Sequence, residues 1–250
     1  MKKIVLGAVL ALVLFIVLLI ALAPARVATP FISDIVPGVS FTGVEGTIWA
    51  FEANSVGYRQ YHLEQVKLDT NPLALLLGSL SSNLEVDDHQ VQLSANLNLA
   101  NNDFELRDIV FDIDASFIPE NFNVAIDGAK GQVSGTINIA HIVNNELLAL
   151  EGAGSWRNAI IEYPNNNLEL GKIDFNLSKL AESTNTLRLT IVDNQGVLDL
   201  KGFIELSLDK SFSMQLHTTS ALPSNLKTWL TRWGRTQGDR IYLEWRGKLP

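Results

Sequence analysis

Histidine, carboxylate and tryptophan side chains are the groups in this chain that could do chemistry, and their spacing decides what chemistry is open. The four histidines, His62, His89, His141 and His217, are scattered and carry no metal-ligand spacing. Asp87-Asp88-His89 is the one acidic–histidine cluster; it falls between two apolar strand patterns and reads as a solvated turn. Asp112 and Asp114 share a face at strand spacing, as an acid–base pair would, yet Asp108 and Ser116 extend them into an exposed polar stripe. No phosphate-binding loop, dinucleotide fingerprint or nucleophile elbow is present. With no cysteine, thiol catalysis, disulfides and thiolate metal sites are excluded. The reading is of a protein that is not an enzyme and needs no cofactor or metal.

Tryptophan beside cations is the remaining chemistry. Lys227, Trp229, Arg232, Trp233 and Arg235 cluster near the C-terminus. Leu226, Trp229, Leu230 and Trp233 recur at helical spacing between Pro223-Ser224 and Gly234, which predicts a short amphipathic helix. Such a helix either caps an open end of a sheet or lies at a membrane interface. The short stripe favours the cap.

The elements that position these groups are strands. In VQLSANLNL, Val91, Leu93, Ala95, Leu97 and Leu99 share one face, and in DIVFDIDASF so do Ile109, Phe111, Ile113, Ala115 and Phe117. Alternation of this kind repeats almost to the C-terminus, with Asn-, Gly- and Pro-rich turns between runs. Short links imply antiparallel neighbours, and so a meander. The fold class is mostly β: a curved antiparallel sheet meander closing as a half-pipe, a sandwich or a barrel. Phe111, Ile113, Val124, Ile137 and Leu189 are expected in its apolar lining, and Asp112, Asp114, Asn96 and Asn98 in water. "GVEGTIWAFEA" (Gly43 to Ala53) reads as a first strand with apolar groups on both faces. Val44, Gly46, Ile48 and Ala50 are opposed there by Trp49, Phe51 and Ala53. Trp49 is expected either as a structural plug or as an exposed anchor for a partner.

A net charge of −8 argues against nucleic-acid binding. Residues 4–23 are uncharged and continuously apolar, and about 20 such residues in a helix cross a bilayer core of roughly 30 Å. Lys2 and Lys3 precede the span, so residues 1–3 are expected to stay in the cytoplasm and the rest to be exported. Ala21-Leu22-Ala23 resembles a cleavage site, but Pro24 follows it, which favours an uncleaved single-pass anchor. The expected organisation is 1–3 cytoplasmic, 4–23 transmembrane, 24–40 linker and 41–250 a periplasmic β domain, in a bacterial inner membrane.

Several motifs follow in order: Gly46-Thr47-Ile48-Trp49, Asn71-Pro72, the Leu75–Leu80 run, Gly152-x-x-x-Trp156 and Leu170-Gly171. "DNQGVLDLKGFIEL" and a closing "TQGDRIYLEWRGKL" complete the series. Together with the anchor, they resemble the type II secretion system protein N family across essentially the whole chain. That resemblance implies a bitopic inner-membrane protein with a periplasmic β domain, supporting export of folded proteins through contacts with other secretion components. It marks Gly46, Thr47, Ile48, Trp49, Trp156, Gly171, Trp229, Trp233 and Gly247 as motif positions with structural or partner-contact roles. The family pattern usually has a small residue two places after the first Trp, where this chain has Phe51. The family is similar in turn, at the level of fold, to AsmA-like envelope proteins, whose curled sheets offer a groove to lipid; an apolar ligand is the alternative function.

Overall fold

A computed structural model describes residues 12, 15, 18–59, 61–117, 128–163, 166–181, 183 and 185–248. The chain divides into two compact units, Met1–His89 and Gln90–Pro250.

In the first unit, residues 18–21 are helical and lead into a 3-10 turn at Ala25–Val27 and helix α1 (Thr29–Ile35). Four strands follow as an antiparallel meander: β1 (Val39–Gly46), β2 (Ala50–Tyr58), β3 (Tyr61–Thr70) and β4 (Leu80–Asp87). Asn71-Pro72 starts a one-turn helix, α2 (Pro72–Leu76). The Asn71 side chain accepts the Leu73 N–H at 3.0 Å, and proline fits the first helical position because no donor is needed there. The stretch 24–40, expected as a linker, carries the 3-10 turn and α1, and β1 begins inside it at Val39.

Gly43–Ala53 is not one strand. β1 stops at Gly46, residues 47–49 turn, and β2 starts at Ala50. The register sets Val44 opposite Ala53 and Gly46 opposite Phe51, so Phe51 and Ala53 share the face of Val44. Apolar side chains on both faces were a consequence of reading through a turn, which shifts the phase of alternation. Phe51 and Ala53 are buried with Ala25, and Phe41, Val44, Val56 and Leu68 pack around them. The Phe51 ring meets Phe41 edge-on at 5.7 Å between centroids. The bulk that departs from the family pattern fills this small core.

The second unit contains β5 (Val91–Ala100), β6 (Asp103–Asp114), β7 (Gly128–Val143), β8 (Glu146–Tyr163), β9 (Asn166–Lys179) and β10 (Thr186–Gln195). It continues with β11 (Lys201–Ser207), β12 (Ser211–Thr219), helix α3 (Ser224–Leu230), β13 (Gly234–Gln237) and β14 (Arg240–Lys248). Neighbours pair antiparallel in chain order up to β12. β14 then pairs with β12 and leaves β13 outermost, the one departure from a plain meander. Its end strands, β5 and β13, do not pair with each other. Neither barrel closure nor a two-sheet sandwich is formed within this unit; the sheet stays open.

Among the described residues no helix is long and apolar enough to cross a membrane. The expected anchor over 4–23 falls mostly outside the described residues, as does Val124.

Candidate functional site

Three features gather the motif residues. The first is the β1–β2 turn. Thr47 Oγ1 accepts the N–H groups of Trp49 and Ala50 at 3.3 and 3.2 Å, and the Thr47 N–H donates to the Ala50 carbonyl at 3.1 Å. Gly46 enters this turn at φ +78°, and a Cβ there would lie 2.1 Å from the Ala50 oxygen. Only glycine fits such a conformation and approach. The turn grips the end of the N-terminal helix. Trp49 Nε1–H donates to the Ile20 carbonyl at 3.1 Å, the Ile48 N–H donates to the Ala23 carbonyl at 3.0 Å, and Pro24 bridges Thr47. The Ile20 carbonyl also accepts the Ala23 N–H at 3.3 Å, and Ala23 lies just past the helix, so these two donors add bonds where the helix's own ladder runs out. Gly46, Thr47, Ile48 and Trp49 thus act together on backbone atoms. Before that junction Leu12, Phe15, Leu18, Leu19, Ile20 and Leu22 are all exposed.

The second feature is the apolar face of the larger unit. One row runs from β5 to β14 through directly paired residues: Leu93, Phe111, Gly135, Gly154, Phe175, Ile191, Gly202, Leu216 and Leu243. The Phe111 and Phe175 rings lie over Gly135 and Gly154, which leave room for them. α3 covers one part of this face, burying Leu226 and Leu230 against Ala159, Leu168, Leu170, Ile173, Leu198, Leu200 and Ile241. Each leucine buried this way contributes about 1.5–3 kcal/mol. Trp156 packs on the same cluster and its Nε1–H donates to the Lys130 carbonyl at 3.0 Å. Elsewhere Phe111, Ile113, Ile137, Leu189, Ile204 and Met214 are only half-buried. Asn96 and Asn98 are exposed on the other face, as expected, whereas Asp112 and Asp114, expected in water, are half-buried. There Asp112 pairs with Gln132 and, at 3.6 Å, with Arg157. Two Ser116 hydrogen bonds, from side chain and backbone, hold the Asp114 carboxyl below its ordinary value.

Gly171 takes φ +74° where β9 passes the β10–β11 connection, and a Cβ would meet the Gln195 carbonyl oxygen at 2.2 Å. Asn194 clamps this spot. Its Nδ2 donates to the Leu170 and Lys172 carbonyls at 2.7 and 3.1 Å, and its Oδ1 accepts the Leu200 N–H at 2.8 Å. Nothing in the sequence spacing of Asn194 to Leu170-Gly171 signals that the two meet. The Phe212 ring packs against Gly247, where a side chain would overlap it.

The third feature is the end of the sheet at β13. α3 ends at Leu230, so Trp233 stands beyond the helix rather than on its stripe. Trp233 is 56% exposed and stacks on Trp245 with 6.3 Å between centroids and 6° between planes. Trp229 lies on α3, and its side chain is outside the described residues.

Two polar clusters complete the picture. Arg240 donates to the Asp199 carboxylate, to the Asp199 carbonyl at 2.8 Å and, through Nε, to His217 Nδ1 at 2.9 Å. His217 is half-buried and accepts at Nδ1. Burial, then the neighbouring Arg240 charge, lowers its pKa; the Arg240 hydrogen bond holds Asp199 below the usual carboxylate range. In the smaller unit Asp88 is buried rather than solvated. Its carboxylate accepts the Glu64 N–H at 2.9 Å and lies 3.3 Å from His89 Nδ1. Glu64, Asp88 and His89 are the one cluster of metal-ligating type among the described residues, and these contacts already occupy the buried carboxylate.

Backbone clamps, an open antiparallel sheet and a partly covered apolar face are what these residues build. The family model of the type II secretion system protein N matches residues 37–243, and the chain belongs to that family. No curated protein and no solved structure matches it.

Proposed function

We propose that this chain is a non-enzymatic, inner-membrane-anchored component of the type II secretion system. In this reading residues 1–3 are cytoplasmic, 4–23 span the bilayer, and 41–250 form the periplasmic β domain, which binds other secretion components. The family match supports the secretion role. The junction supports the anchor. Ala23 is hydrogen-bonded to Ile48, Pro24 bridges Thr47, and Ala25 is 0% exposed in the core with Phe51. A peptide bond built into a folded unit in this way is a poor substrate for a leader peptidase, and the exposed apolar residues before it suit hydrocarbon.

The test is genetic. Deleting the gene should trap folded secreted proteins in the periplasm, and the full chain should restore their export. A chain whose residues 1–23 are replaced by a cleavable leader should not. Undiminished secretion in the deletion strain would sink the secretion role, and full rescue by the cleaved form would sink the anchor.

A second reading, carriage of an apolar ligand, is supported by the half-buried row from Phe111 to Leu243. Lipid retained by the detergent-purified chain, and lost when Phe111 and Leu189 are replaced by Asp, would favour it.

A further inference from the structure

Charge is unevenly spread along this protein. Residues 227–248 hold six Lys or Arg against two Asp or Glu, a net of +4, while the rest of the chain carries −12. The fold collects this basic segment at the outer end of the larger unit, where α3, the turn after it and the β13–β14 hairpin meet. Lys227, Arg232 and Arg246 are exposed and form no ion pair among the described residues. Arg235 is 86% exposed and reaches only Glu244, at 3.6 Å. Arg240 alone is turned inward, to Asp199 and His217. Trp233, more than half exposed, is held flat on Trp245 on one face of this edge next to Arg232, while the register sets Arg235 and Arg246 on the other face, so the two sets meet along the edge.

We propose that this rim is a docking surface for anionic phospholipid headgroups. Unpaired cations near an anionic membrane are each attracted to it, and tryptophan is enriched at headgroup depth because its ring is apolar and its N–H is polar. The stack on Trp245 fixes the Trp233 ring in advance, so little side-chain freedom is lost on contact. An anionic headgroup layer is the occupant that meets both parts of the rim at once, its charge at the exposed cations and its interfacial depth at the exposed indole. The idea deepens the anchored reading, since a tether through residues 4–23 would keep the rim at high effective concentration near the bilayer.

The experiment uses the full chain, which has no native cysteine. Thr236→Cys, on exposed β13, carries one environment-sensitive fluorophore; a separate Leu12→Cys carries another. Both are reconstituted in phosphatidylcholine vesicles with and without about one third phosphatidylglycerol, using lipids with a headgroup-level or an acyl-chain quencher. The Thr236 probe should be quenched at headgroup level in the anionic vesicles only, and high salt should abolish this. Each charge removed, as in Arg232→Gln or Arg235→Gln, should lower the docked-to-undocked ratio roughly five-fold. Trp233→Ser should weaken docking in low salt without moving the unfolding midpoint. A Thr236 probe that remains in water at every lipid composition would overturn the proposal and make the rim a protein-facing surface. The Leu12 probe reports the anchor separately: acyl-chain quenching there beside a wet Thr236 probe rejects the rim alone, and the reverse rejects the anchor alone.

Discussion

Replacing Gly46 by Ala tests the junction at its tightest point. The residue sits at φ +78°, a left-handed conformation that costs an ordinary residue about 1–2 kcal/mol. The added Cβ would lie 2.1 Å from the Ala50 carbonyl oxygen, a backbone atom that cannot swing away as a side chain would. Relief requires opening the turn, which weakens the 3.1 Å Thr47–Ala50 hydrogen bond, a net loss of about 0.5–1.5 kcal/mol. The expected total is roughly 1.5–3.5 kcal/mol. Chemical denaturation of the full chain in detergent should show it as a lower midpoint. Amide exchange should locate it, with the Ile48 N–H losing protection because its acceptor, the Ala23 carbonyl, moves out of register. A variant within about 0.5 kcal/mol of the parent, with Ile48 still protected, would refute the view that this motif exists to hold the helix end.

Three further outcomes are expected. Because Phe111 is half-buried on an open face, Phe111→Ala should cost about 1–2 kcal/mol, well below the ~3–5 of a packed phenylalanine, and Asp112→Ala less still; a loss above 3 would mean that this face is sealed. His217 has its folded-state pKa lowered below the ordinary 6.5, so the unfolded chain binds its proton more readily. The stability this supplies is complete above that value and is lost as pH falls through it, and His217→Gln should flatten the unfolding midpoint over that window; identical pH curves for both proteins would remove His217 from the account. A periplasm-dependent reporter fused after Pro250 should be active, and activity of a cytoplasm-dependent reporter at that position would reverse the proposed orientation.

Alternation made the β architecture of the larger unit legible. Phe111, Ile137 and Leu189 share the face that their spacing assigns, because a strand's period is fixed by backbone geometry. Closure was not legible, since one-sided strands satisfy a barrel, a sandwich or an open sheet equally until pairing is known. The Gly46–Trp49 turn hid inside an apparent strand because Ile48 and Trp49 are good strand residues; only Gly46 hinted at the break. Trp233 matched a helical stripe by spacing, but the helix ends at Leu230 and the chain turns before Gly234. Long-range clamps left no local trace: Trp49 to the Ile20 carbonyl and Asn194 to the Leu170 carbonyl join residues 29 and 24 positions apart. Such contacts are fixed by tertiary register, which no window of sequence reports.

The central claim is that this chain stays in the inner membrane, uncleaved, as a working part of the secretion apparatus. Purification of the chromosomally tagged protein from detergent-solubilised inner membranes, followed by mass spectrometry of the chain and its companions, tests both halves at once. The account predicts peptides from residues 1–23 on the mature chain, and other type II secretion components recovered with it in the parent but depleted in the Gly46→Ala variant. A soluble periplasmic protein beginning at Pro24, or an anchored chain recovered without any secretion component, would contradict it.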